Sequence, residues 1–468
     1  MIPINVRQIA EAVGGTCDPL NGGLSVCRVE RSSHDVLPGD LFVALKGDRF
    51  DGHEFLAEAQ MRGAVAALVT RQWVEGTTVR PGLPLIMVHD TYQALGRLAA
   101  WYRRHVMDVS TTVIAITGSN GKTTTKRMLD DVLGSMLTGR SSPKSYNNRI
   151  GVPLTLLTAE RGDRYLVCEV GTSGSGEIAD LAQMISPDVG VITSIGEAHL
   201  EGLGSMGGVA AEKFSLISHI RAGGLAIVNA DRPEIRTHLQ RTQRPRIVTF
   251  GFDPGARLRV EGVEARHDQT SFMLEGRYAM TLRMPGVHHA SNATAVFAVA
   301  RWMGLAPETI IERLGRFVAV EGRTQREEWP GLTLIDDAYN ANPASMRTAI
   351  DSLRLCSRGR RVLVAGDMME LGTSSERLHG EFVRQVRDSG IEVLVSVGER
   401  MQQAVVGHDA ECSRMQIIAC ADSSAAIDAL SKCLKPGDTV WVKGSRAIGL
   451  ERVVDALRGT WSPKAAVA

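Results

Sequence analysis

The chain has 468 residues, which is too long for one ordinary hydrophobic core and therefore predicts two or three domains. Apolar residues make up 44% of the sequence and charged residues 22%, a balance typical of globular proteins and unlike disordered or fibrous ones. The 53 Lys and Arg residues nearly equal the 52 Asp and Glu residues, so the charge balance predicts neither a nucleic-acid partner nor a membrane surface.

The N-terminal sequence "MIPINVRQIAEAVGG" lacks a basic stretch followed by an apolar segment, so it does not predict a signal peptide. No uninterrupted apolar run approaches the roughly 20 residues of a membrane-spanning helix. The seven cysteines include no CxxC pair, which favours reduced thiols in the cytoplasm over a zinc site. No coiled-coil or apolar repeat indicates obligate assembly, so we expect a monomer.

We predict an α/β protein with three domains. The first, a smaller α/β domain over residues 1–108, mixes short strands and helices: "DLFVAL" and "AVAALVT" are typical of strands, and "HEFLAEAQMRG" between them of a helix. In the central domain, residues 109–320, buried strands are predicted at "TTVIAI", "RYLVCEV", "DVGVITSI" and "LAIVNA". Helical stretches separate them, a pattern typical of a parallel sheet with crossover helices.

Later in the central domain, residues 257–284 alternate like β-hairpins, and "HHASNATAVFAVARWMG" is then predicted to be an amphipathic helix. A second alternation of strands and helices begins near residue 321, with strands at "LTLIDDA", "RVLVAGD", "EVLVSVG", "MQIIAC" and "TVWVKGS". This pattern predicts a Rossmann-like C-terminal domain over residues 321–468.

The segment "TTVIAITGSNGKTTTKRMLDDVL" places a glycine-rich turn between a buried strand and a helix. Gly118 and Gly121 permit a tight turn whose backbone N–H groups point into one concavity, and the positive end of the helix dipole lies at the same point. Lys122 can reach the β- and γ-phosphates, and the hydroxyl of Thr123 can ligate Mg²⁺. The pattern departs from the full phosphate-loop consensus because Ile116 occupies its first glycine position. We nevertheless favour a nucleoside triphosphate site over a plain glycine turn with a solvated lysine.

A competing motif is "GSGEIA", which follows a strand and matches G-x-G-x-x-A. Such a motif can bind a dinucleotide, but a single match is a weak signal.

Polar side chains also follow other predicted strands. Glu169 ends one strand, and His199 follows the next in "GEAHLEGLG". Because the carboxyl ends of parallel strands converge at one edge, these two side chains could hold Mg²⁺ beside the phosphate loop. A helix cap and an ordinary surface histidine are the structural alternatives. Asp337 and Asn340 end a C-terminal strand, where a ribose could bind, although loop polarity alone would also explain them.

Seven segments resemble the Mur ligases in their order and spacing, over essentially the whole chain: "TGSNGKTTT", "EVGTSGSGEI", "GEAHLEGLGS", "EGR", "DDAYNANPASM", "AGDMMELG" and "VKGSRAIGLERVV". The resemblance implies an N-terminal domain for the UDP end of a substrate, a central P-loop ATPase-like domain and a Rossmann-like C-terminal domain. Three of the segments, "DDAYNANP", "GDMMELG" and "VKGSRA", are similar to the family member that adds D-alanyl-D-alanine to UDP-N-acetylmuramoyl-tripeptide.

The resemblance also implies roles for individual residues. Lys122, Lys213, His199 and Glu169 would be catalytic, with Lys213 carbamylated, and Thr123, Glu169 and His199 would be Mg²⁺ ligands. The residues implied in ATP binding are Thr117, Gly118, Ser119, Asn120, Gly121, Lys122, Thr123, Thr124, Asn292, Arg323, Asp337 and Asn340. Those implied in binding the other substrates are Ser32, Asp51, His53, Asn147, Asn148, Ser445 and Arg446.

The chain departs from the family pattern at four places. His34 replaces an arginine, His289 replaces an asparagine, and Arg149 stands where a small polar or acidic residue is usual; "AAEKFSL" replaces "AKAKGEI" around Lys213. These departures concern the uridine and peptide contacts more than the ATP chemistry.

The reaction implied by the resemblance starts with attack of the tripeptide carboxylate on the γ-phosphorus of ATP, giving an acyl phosphate and ADP. The amine of D-alanyl-D-alanine then displaces phosphate. Closure of the C-terminal domain onto the central one would assemble the site. Three alternatives stay open: a related ligase adding a single amino acid or extending folate with glutamate, a P-loop switch or motor, and a nucleotide-binding scaffold.

Overall fold

A computed structural model describes residues 1–78, 81–242, 246–319, 321–356, 359–406 and 415–462. Within these ranges the chain forms three large β-sheets, one after another along the sequence, and a small two-stranded sheet near the N-terminus. Each large sheet is mixed but mainly parallel, and helices connect its strands. The α/β class predicted from the sequence is confirmed.

The first large sheet has five strands, β2, β7, β6, β5 and β4 in spatial order, and β1 and β3 form the small sheet. The strands are β1 Ile4–Asn5, β2 Thr16–Cys17, β3 Ser25–Val26, β4 Arg28–Glu30, β5 Asp40–Val43, β6 Ala66–Thr70 and β7 Leu85–Val88. The helices are α1 Val6–Val13, α2 Leu56–Met61, α3 Arg71–Gly76 and α4 Thr91–His105. Asp90 caps α4 by accepting hydrogen bonds from two backbone N–H groups, which fixes where this long helix begins.

The central sheet has nine strands, in the order β16, β15, β14, β13, β12, β11, β8, β10, β9. They are β8 Thr112–Thr117, β9 Gly139–Ser141, β10 Tyr165–Glu169, β11 Val189–Ile192, β12 Leu225–Asn229, β13 Arg246–Gly251, β14 Leu258–Ala265, β15 Thr270–Leu274 and β16 Tyr278–Leu282. The pairings among β8–β13 are parallel, whereas β14–β16 form the antiparallel hairpins predicted for this region.

Eight helices accompany this sheet in the described part of the chain. They are α5 Lys122–Gly134, α6 Gly151–Leu156, α7 Glu177–Ile185, α8 Leu200–Leu203, α9 Met206–Phe214, α10 Pro233–Arg241, α11 His288–Trp302 and α12 Pro307–Arg316. The prediction that α11 is amphipathic is wrong: every residue from position 289 to position 300 is buried. The helix packs against α5 and α12 on one side and the sheet on the other, and its five alanines permit close approach on both.

The last sheet has six strands in the order β17, β18, β22, β19, β20, β21, and β17 is antiparallel to β18. The strands are β17 Gln325–Trp329, β18 Leu332–Asp337, β19 Arg361–Gly366, β20 Val393–Val397, β21 Gln416–Cys420 and β22 Asp438–Lys443. The helices are α13 Pro343–Cys356, α14 Ser375–Asp388, α15 Glu399–Val406, α16 Ser423–Cys433 and α17 Glu451–Trp461. Short 3₁₀ helices occur at Pro19–Asn21, Ser33–Asp35, Gly52–Phe55, Ser215–His219, Gly372–Ser374 and Arg446–Ile448.

The domain boundaries at residues 108 and 320 stay predictions, and residue 320 lies outside the described ranges. The parts of the chain that carry the five-, nine- and six-stranded sheets are the N-terminal, central and C-terminal units, respectively. Within the described ranges, none of the helices combines the length and the apolar character that a membrane span requires.

Candidate functional site

The phosphate loop follows β8, in the middle of the central sheet. Gly118 has a φ of 153°, and a Cβ at this position would lie 1.9 Å from the Thr193 hydroxyl oxygen. Gly121 has a φ of 84°, and a Cβ there would lie 2.4 Å from Oδ1 of Asn292. Both positions therefore require glycine. Ser194 holds the loop from the neighbouring strand end, since its backbone carbonyl and its hydroxyl accept hydrogen bonds from two successive loop N–H groups.

The N-terminus of α5 opens toward a cavity. No side chain caps this helix, so its first N–H groups have no side-chain partner within the described structure. Lys122 is the first helical residue, and its Nζ donates to the Gly118 carbonyl at 2.7 Å. Burial lowers the pKa of Lys122, while the charge of Glu169 opposes that shift. The free N–H groups, the helix dipole and the lysine together suit a phosphate group.

Glu169 is the centre of a buried polar cluster at the end of β10. Only 1% of the residue is exposed, and protein donors replace water around its carboxylate. The carboxylate accepts hydrogen bonds from Thr123 Oγ1 at 3.0 Å and from Asn147 Nδ2 at 3.0 Å. Lys126 Nζ lies 3.3 Å from the same carboxylate and also donates to the backbone carbonyls of Ser142 and Lys144. The strand register explains the cluster, because Glu169 pairs with Ile116, the penultimate residue of the strand that leads into the phosphate loop.

The donors around Thr123 fit Mg²⁺ in their chemistry. A hydroxyl and a carboxylate are hard oxygen ligands, and Mg²⁺ usually takes only one or two protein carboxylates together with substrate phosphates and water. The described residues contain no group of three His, Cys, Asp or Glu side chains that could hold a metal by itself. His199 lines the same cavity, but its Nδ1 is hydrogen-bonded to Glu370 of the C-terminal unit.

The C-terminal unit supplies the opposite wall. The Arg323 guanidinium lies 3.9 Å from the centre of the Tyr339 ring, and one of its nitrogens is 3.5 Å from the Thr123 hydroxyl. Asp337 is paired with Lys443 at 2.8 Å. The Lys443 ammonium also donates to the backbone carbonyl of Asn340 at 2.9 Å. A carboxylate and a guanidinium thus face the phosphate loop from the other unit.

Two further polar contacts join the units beside the loop. The side-chain amides of Asn120 and Asn342 exchange hydrogen bonds of 3.2 and 2.8 Å. Arg347 on α13 pairs with Glu197 at 2.7 Å. The phosphate loop is therefore in direct contact with the C-terminal unit.

The cavity between these walls has a volume of about 1300 Å³. The structure brings most of the predicted site residues together in its lining: Ser119, Asn120, Gly121, Lys122, Thr123, Thr124, Asn147, Asn148, Glu169, His199, Asn292, Arg323, Asp337, Asn340, Ser445 and Arg446. Six predicted site residues are not part of that lining: Thr117, Gly118, Lys213, Ser32, Asp51 and His53. Thr117 nevertheless ends β8, and Gly118 begins the phosphate loop directly after it.

Lys213 lies on α9 behind the cavity and is only 1% exposed. Burial, reinforced by the positive charge of Lys122, lowers its pKa to about 7. The charge of the neighbouring Glu212, whose carboxylate accepts hydrogen bonds from the backbone N–H groups of Gly176 and Ile178, opposes the shift. Lys213 is therefore a buried amine with a substantial uncharged fraction at neutral pH.

The three N-terminal candidates form local contacts away from the cavity. His53 is 4% exposed, with Nδ1 2.6 Å from Asp51 and Nε2 accepting from the Thr70 backbone N–H at 3.0 Å. Its ring stacks on Trp73. Both ring nitrogens are thus engaged within the protein. Ser32 immediately precedes the short helix at Ser33–Asp35.

The other substrate candidates line the cavity. Asn148 Oδ1 accepts from the backbone N–H groups of Ile150 and Gly151, at the start of α6. The Ser445 hydroxyl accepts from the backbone N–H of Met369 at 2.9 Å. Arg446 is exposed and lies 5.8 Å from the ring of Tyr339.

Sequence reasoning missed several residues of this site. Lys126 falls within "KTTTKRM" and resembles an ordinary solvated helix lysine, but it is fully buried against Glu169. His288 and His289 line the cavity, and Nδ1 of His288 and both ring nitrogens of His289 are buried with no hydrogen-bond partner in the described structure. Burial lowers the pKa of His288 to about 4 and that of His289 well below its usual value, so both rings are uncharged at neutral pH. The unusual "HH" dipeptide was the available signal.

The competing dinucleotide motif is not an open anion site. The helix that follows it, α7, has the Glu212 carboxylate at its N-terminus, where that side chain accepts two backbone hydrogen bonds. A protein carboxylate thus occupies the place that a pyrophosphate would take. The geometry favours the phosphate loop at α5 as the nucleotide site.

Comparison with known proteins agrees with this geometry. Three family descriptions match the chain: "Mur ligase family, catalytic domain" over residues 28–103, "Mur ligase middle domain" over 116–300 and "Mur ligase, glutamate ligase domain" over 322–446. A UDP-N-acetylmuramoyl-tripeptide–D-alanyl-D-alanine ligase from Escherichia coli (strain K12) is 34% identical, over 98% of this chain and 99% of that protein.

Two solved structures from Acinetobacter baumannii are similar over nearly the full chain. A MurF crystal structure has a TM-score of 0.87 at 30% identity and covers 97% of this chain and 98% of its own. The structure of a UDP-N-acetylmuramoylalanyl-D-glutamyl-2,6-diaminopimelate–D-alanyl-D-alanyl ligase has a TM-score of 0.83 at 29% identity, with 98% and 99% covered.

Proposed function

The chain belongs to the Mur ligase family, and from this premise we propose that it is the ATP-dependent ligase that joins D-alanyl-D-alanine to UDP-N-acetylmuramoyl-tripeptide in peptidoglycan precursor synthesis. One observation carries the proposal: Lys122, Thr123 and Glu169 of the central unit lie in the same cavity as Arg323 and Asp337 of the C-terminal unit. A triphosphate and a carboxylate substrate brought together there would meet positive charge from two sides.

The proposed reaction has two steps. An oxygen of the tripeptide's terminal carboxylate attacks the γ-phosphorus of ATP, the bond to the β-phosphate oxygen breaks, and ADP leaves with an acyl phosphate formed. The amine of D-alanyl-D-alanine then attacks the acyl carbon, loses a proton and expels inorganic phosphate. Phosphorylation is required because oxide is too poor a leaving group for an amine to displace.

The residues act mainly by position and charge. Lys122 reaches the β- and γ-phosphates once it releases the Gly118 carbonyl, and the backbone N–H groups from Gly121 to Thr124, which Ser194 does not engage, cradle them. Arg323 approaches the phosphates from the other unit, Asp337 and Asn340 bind the ribose, and Asn292 contacts the adenine. Preorganised charge of this kind is usually the largest single contribution to catalysis.

We propose Thr123, Glu169 and His199 as protein ligands of Mg²⁺, which would supply charge neutralisation at the transferring phosphoryl group. We also propose that Lys213 is carbamylated. Its pKa of about 7 leaves roughly half of the amine uncharged at neutral pH, and only the uncharged amine can attack CO₂. The resulting anion would support a magnesium ion from behind the cavity.

The substrate would extend from the N-terminal unit to the phosphate loop. We assign its UDP end to the surface around Ser32, Asp51 and His53. His53 would contribute to the shape of that surface rather than a hydrogen bond, because both of its ring nitrogens are already hydrogen-bonded within the protein. We assign the muramoyl peptide to Asn147 and Asn148, and D-alanyl-D-alanine to Ser445 and Arg446. Asn147 already donates to Glu169, which connects the peptide loop to the reacting end.

For the organisation of the chain we propose three domains, with boundaries at residues 108 and 320, in a cytoplasmic monomer. The three sheets support this division, since each is built from one continuous part of the chain. Light scattering after size-exclusion chromatography tests the monomer, and the mass of a dimer would overturn it.

The decisive experiment supplies ATP, Mg²⁺ and UDP-muramoyl-tripeptide with hydroxylamine in place of the amine substrate. A ligase of this mechanism gives a hydroxamate, whereas a switch, motor or scaffold gives none. Lys122→Ala should abolish hydroxamate formation without lowering the thermal unfolding midpoint. Phosphate release with D-alanyl-D-alanine but not with single amino acids would separate this ligase from its relatives, and the reverse preference would overturn the assignment.

A further inference from the structure

Arg149 is an arginine of the cavity wall to which the proposed reaction gives no role. It lies in the segment between β9 and α6, and its guanidinium carbon lies 4.7 Å from the centre of the Tyr92 ring. Tyr92 belongs to α4 of the N-terminal unit, and its hydroxyl donates to the Lys46 carbonyl at 3.0 Å, which fixes the ring. Stacking thus holds this guanidinium at the junction of two units.

Within the described part of the chain, no ion pair neutralises the positive charge of Arg149. No carboxylate of the described residues lies within ion-pair distance of its guanidinium, and its neighbours in the chain, Asn148 and Ile150, are uncharged. Lys443, another cation of the cavity, is by contrast paired with Asp337. A stacked guanidinium keeps its N–H donors free at the ring's edge, where they suit a planar carboxylate.

The position of Arg149 determines which group of the substrate its guanidinium can contact. Asn147, two residues earlier, touches Glu169, where the reacting carboxylate is proposed to lie, and Tyr92 belongs to the unit proposed for the UDP end. Arg149 therefore lies between the two ends of the substrate, beside its peptide. This step rests on the proposed function.

The peptide itself carries carboxylates that do not react. The substrate named for the similar Acinetobacter baumannii ligase is an alanyl-D-glutamyl-2,6-diaminopimelate. A glutamyl residue within a chain keeps one free carboxylate, and diaminopimelate keeps one besides the carboxylate that is activated. A lysine in the third position has the same free ammonium as diaminopimelate but no carboxylate to spare.

We propose that Arg149 binds a non-reacting carboxylate of the acceptor tripeptide and thereby determines which peptides the enzyme prefers. The shared chemistry is a carboxylate-to-guanidinium pair, and the glutamyl and diaminopimelyl residues are its two possible sources. Pairing with the diaminopimelyl carboxylate would make the enzyme selective for that residue over lysine.

A second arginine provides a matched control. Arg31 of the N-terminal unit lies 6.0 Å from the ring of Tyr146, so two arginine–tyrosine pairs cross the same junction in opposite directions. Arg31 is also exposed, but it is not part of the cavity lining. Arg31→Ala removes a comparable charge and stack without removing a charge from the peptide's path.

The experiment measures KM and kcat with three tripeptide substrates: the diaminopimelate form, the lysine form, and a diaminopimelate form whose glutamyl carboxylate is amidated. Arg149→Ala should raise KM about tenfold for substrates that carry the recognised carboxylate and less than twofold for the one that lacks it, with kcat nearly unchanged. Arg149→Lys should recover part of the loss. Arg31→Ala should change KM by the same factor for all three substrates.

The pattern identifies the source. Loss confined to the two diaminopimelate forms assigns the diaminopimelyl carboxylate, and loss confined to the two unamidated forms assigns the glutamyl one. Equal KM changes for all three substrates in Arg149→Ala would overturn the proposal while leaving the ligase function intact. Failure of the unaltered enzyme to ligate any tripeptide would overturn both.

Discussion

Replacing Lys126 by methionine tests whether the buried cluster around Glu169 holds the central unit together. Methionine keeps the unbranched apolar stem of the lysine side chain but removes its charge and its donors. In the substituted protein the Glu169 carboxylate loses the ammonium now 3.3 Å away, and the carbonyls of Ser142 and Lys144 lose a donor. Thr123 and Asn147 still donate to the carboxylate.

The expected loss of stability follows from the burial of both partners. Lys126 is fully buried and Glu169 is 1% exposed. Removing one member of such a pair costs about 3–5 kcal/mol because the surviving charge stays out of water. The two hydrogen bonds that remain on Glu169 favour the lower end, so we expect the local unfolding free energy of the central unit to fall by about 3 kcal/mol.

Hydrogen–deuterium exchange measures this change where it occurs. Amides of β8 and β10 should exchange about a hundredfold faster in Lys126→Met, while amides of β19 and β20 in the C-terminal unit serve as internal controls. In a Glu169→Gln background the same substitution should cost much less, because no buried charge is left unpaired. A loss below about 1 kcal/mol, or an equal loss in both backgrounds, would refute the ion-pair explanation.

Three further predictions concern the site. Gly121→Ala should raise KM for ATP severalfold and lower the thermal unfolding midpoint. The φ of 84° costs an alanine about 1–2 kcal/mol, and the added Cβ would displace Asn292. An unchanged KM would contradict this prediction. The folded-state pKa of Lys213, about 7, lies below its unfolded value, so above pH 7 the unfolded chain binds one more proton than the folded protein does. In bicarbonate-free buffer, the unfolding free energy of the unaltered protein, measured relative to that of Lys213→Met, should therefore rise above pH 7 by up to about 1.4 kcal/mol per pH unit. Parallel pH profiles of denaturant unfolding would count against that pKa. Asn120→Ala removes the two hydrogen bonds to Asn342. Titration calorimetry should then show ATP binding weakened about tenfold. Unchanged ATP affinity would mean that this contact does not support the nucleotide site.

The sequence predicted those parts of the fold that local chemistry specifies. Apolar β-branched runs identified strands such as β8 and β10, and glycine positions with lysine and threonine identified the phosphate loop. The polar strand β17, "QREEW", has no apolar signature and was not predicted. The prediction that α11 is amphipathic failed because the sheet and other helices both pack against it. The apolar pattern of one helix does not show how many neighbouring elements cover that helix.

The candidate site was harder to predict than the fold because charge burial depends on distant residues. Lys126 and Lys213 each resemble a solvated helix lysine, and only the packing of other elements around them makes them buried. Packing also determines whether each buried lysine has a counter-ion. Lys126 is paired with Glu169, whereas Glu212, the carboxylate beside Lys213, is hydrogen-bonded to the N-terminus of α7. The pairing of Arg323 with Thr123 joins residues 200 positions apart, a proximity that only the resemblance to the Mur ligases implied.

The contacts that close the cavity explain how nucleotide binding could control the reaction. Those that join the central and C-terminal units around the phosphate loop are polar: the Asn120 amide pair, the Arg347 ion pair, the His199 bond to Glu370 and the approach of Arg323. Contacts of this kind contribute only about 0.5–1.5 kcal/mol each, because water replaces them when the units separate. A nucleotide held by groups from both units binds the closed arrangement better than an open one, and this differential affinity shifts the equilibrium toward closure. Leu200 of α8 packs against the apolar core of the C-terminal unit, so the interface is not wholly polar. We expect its weak polar contacts to let ATP assemble the site and also to let ADP and phosphate leave, which a large apolar interface would prevent.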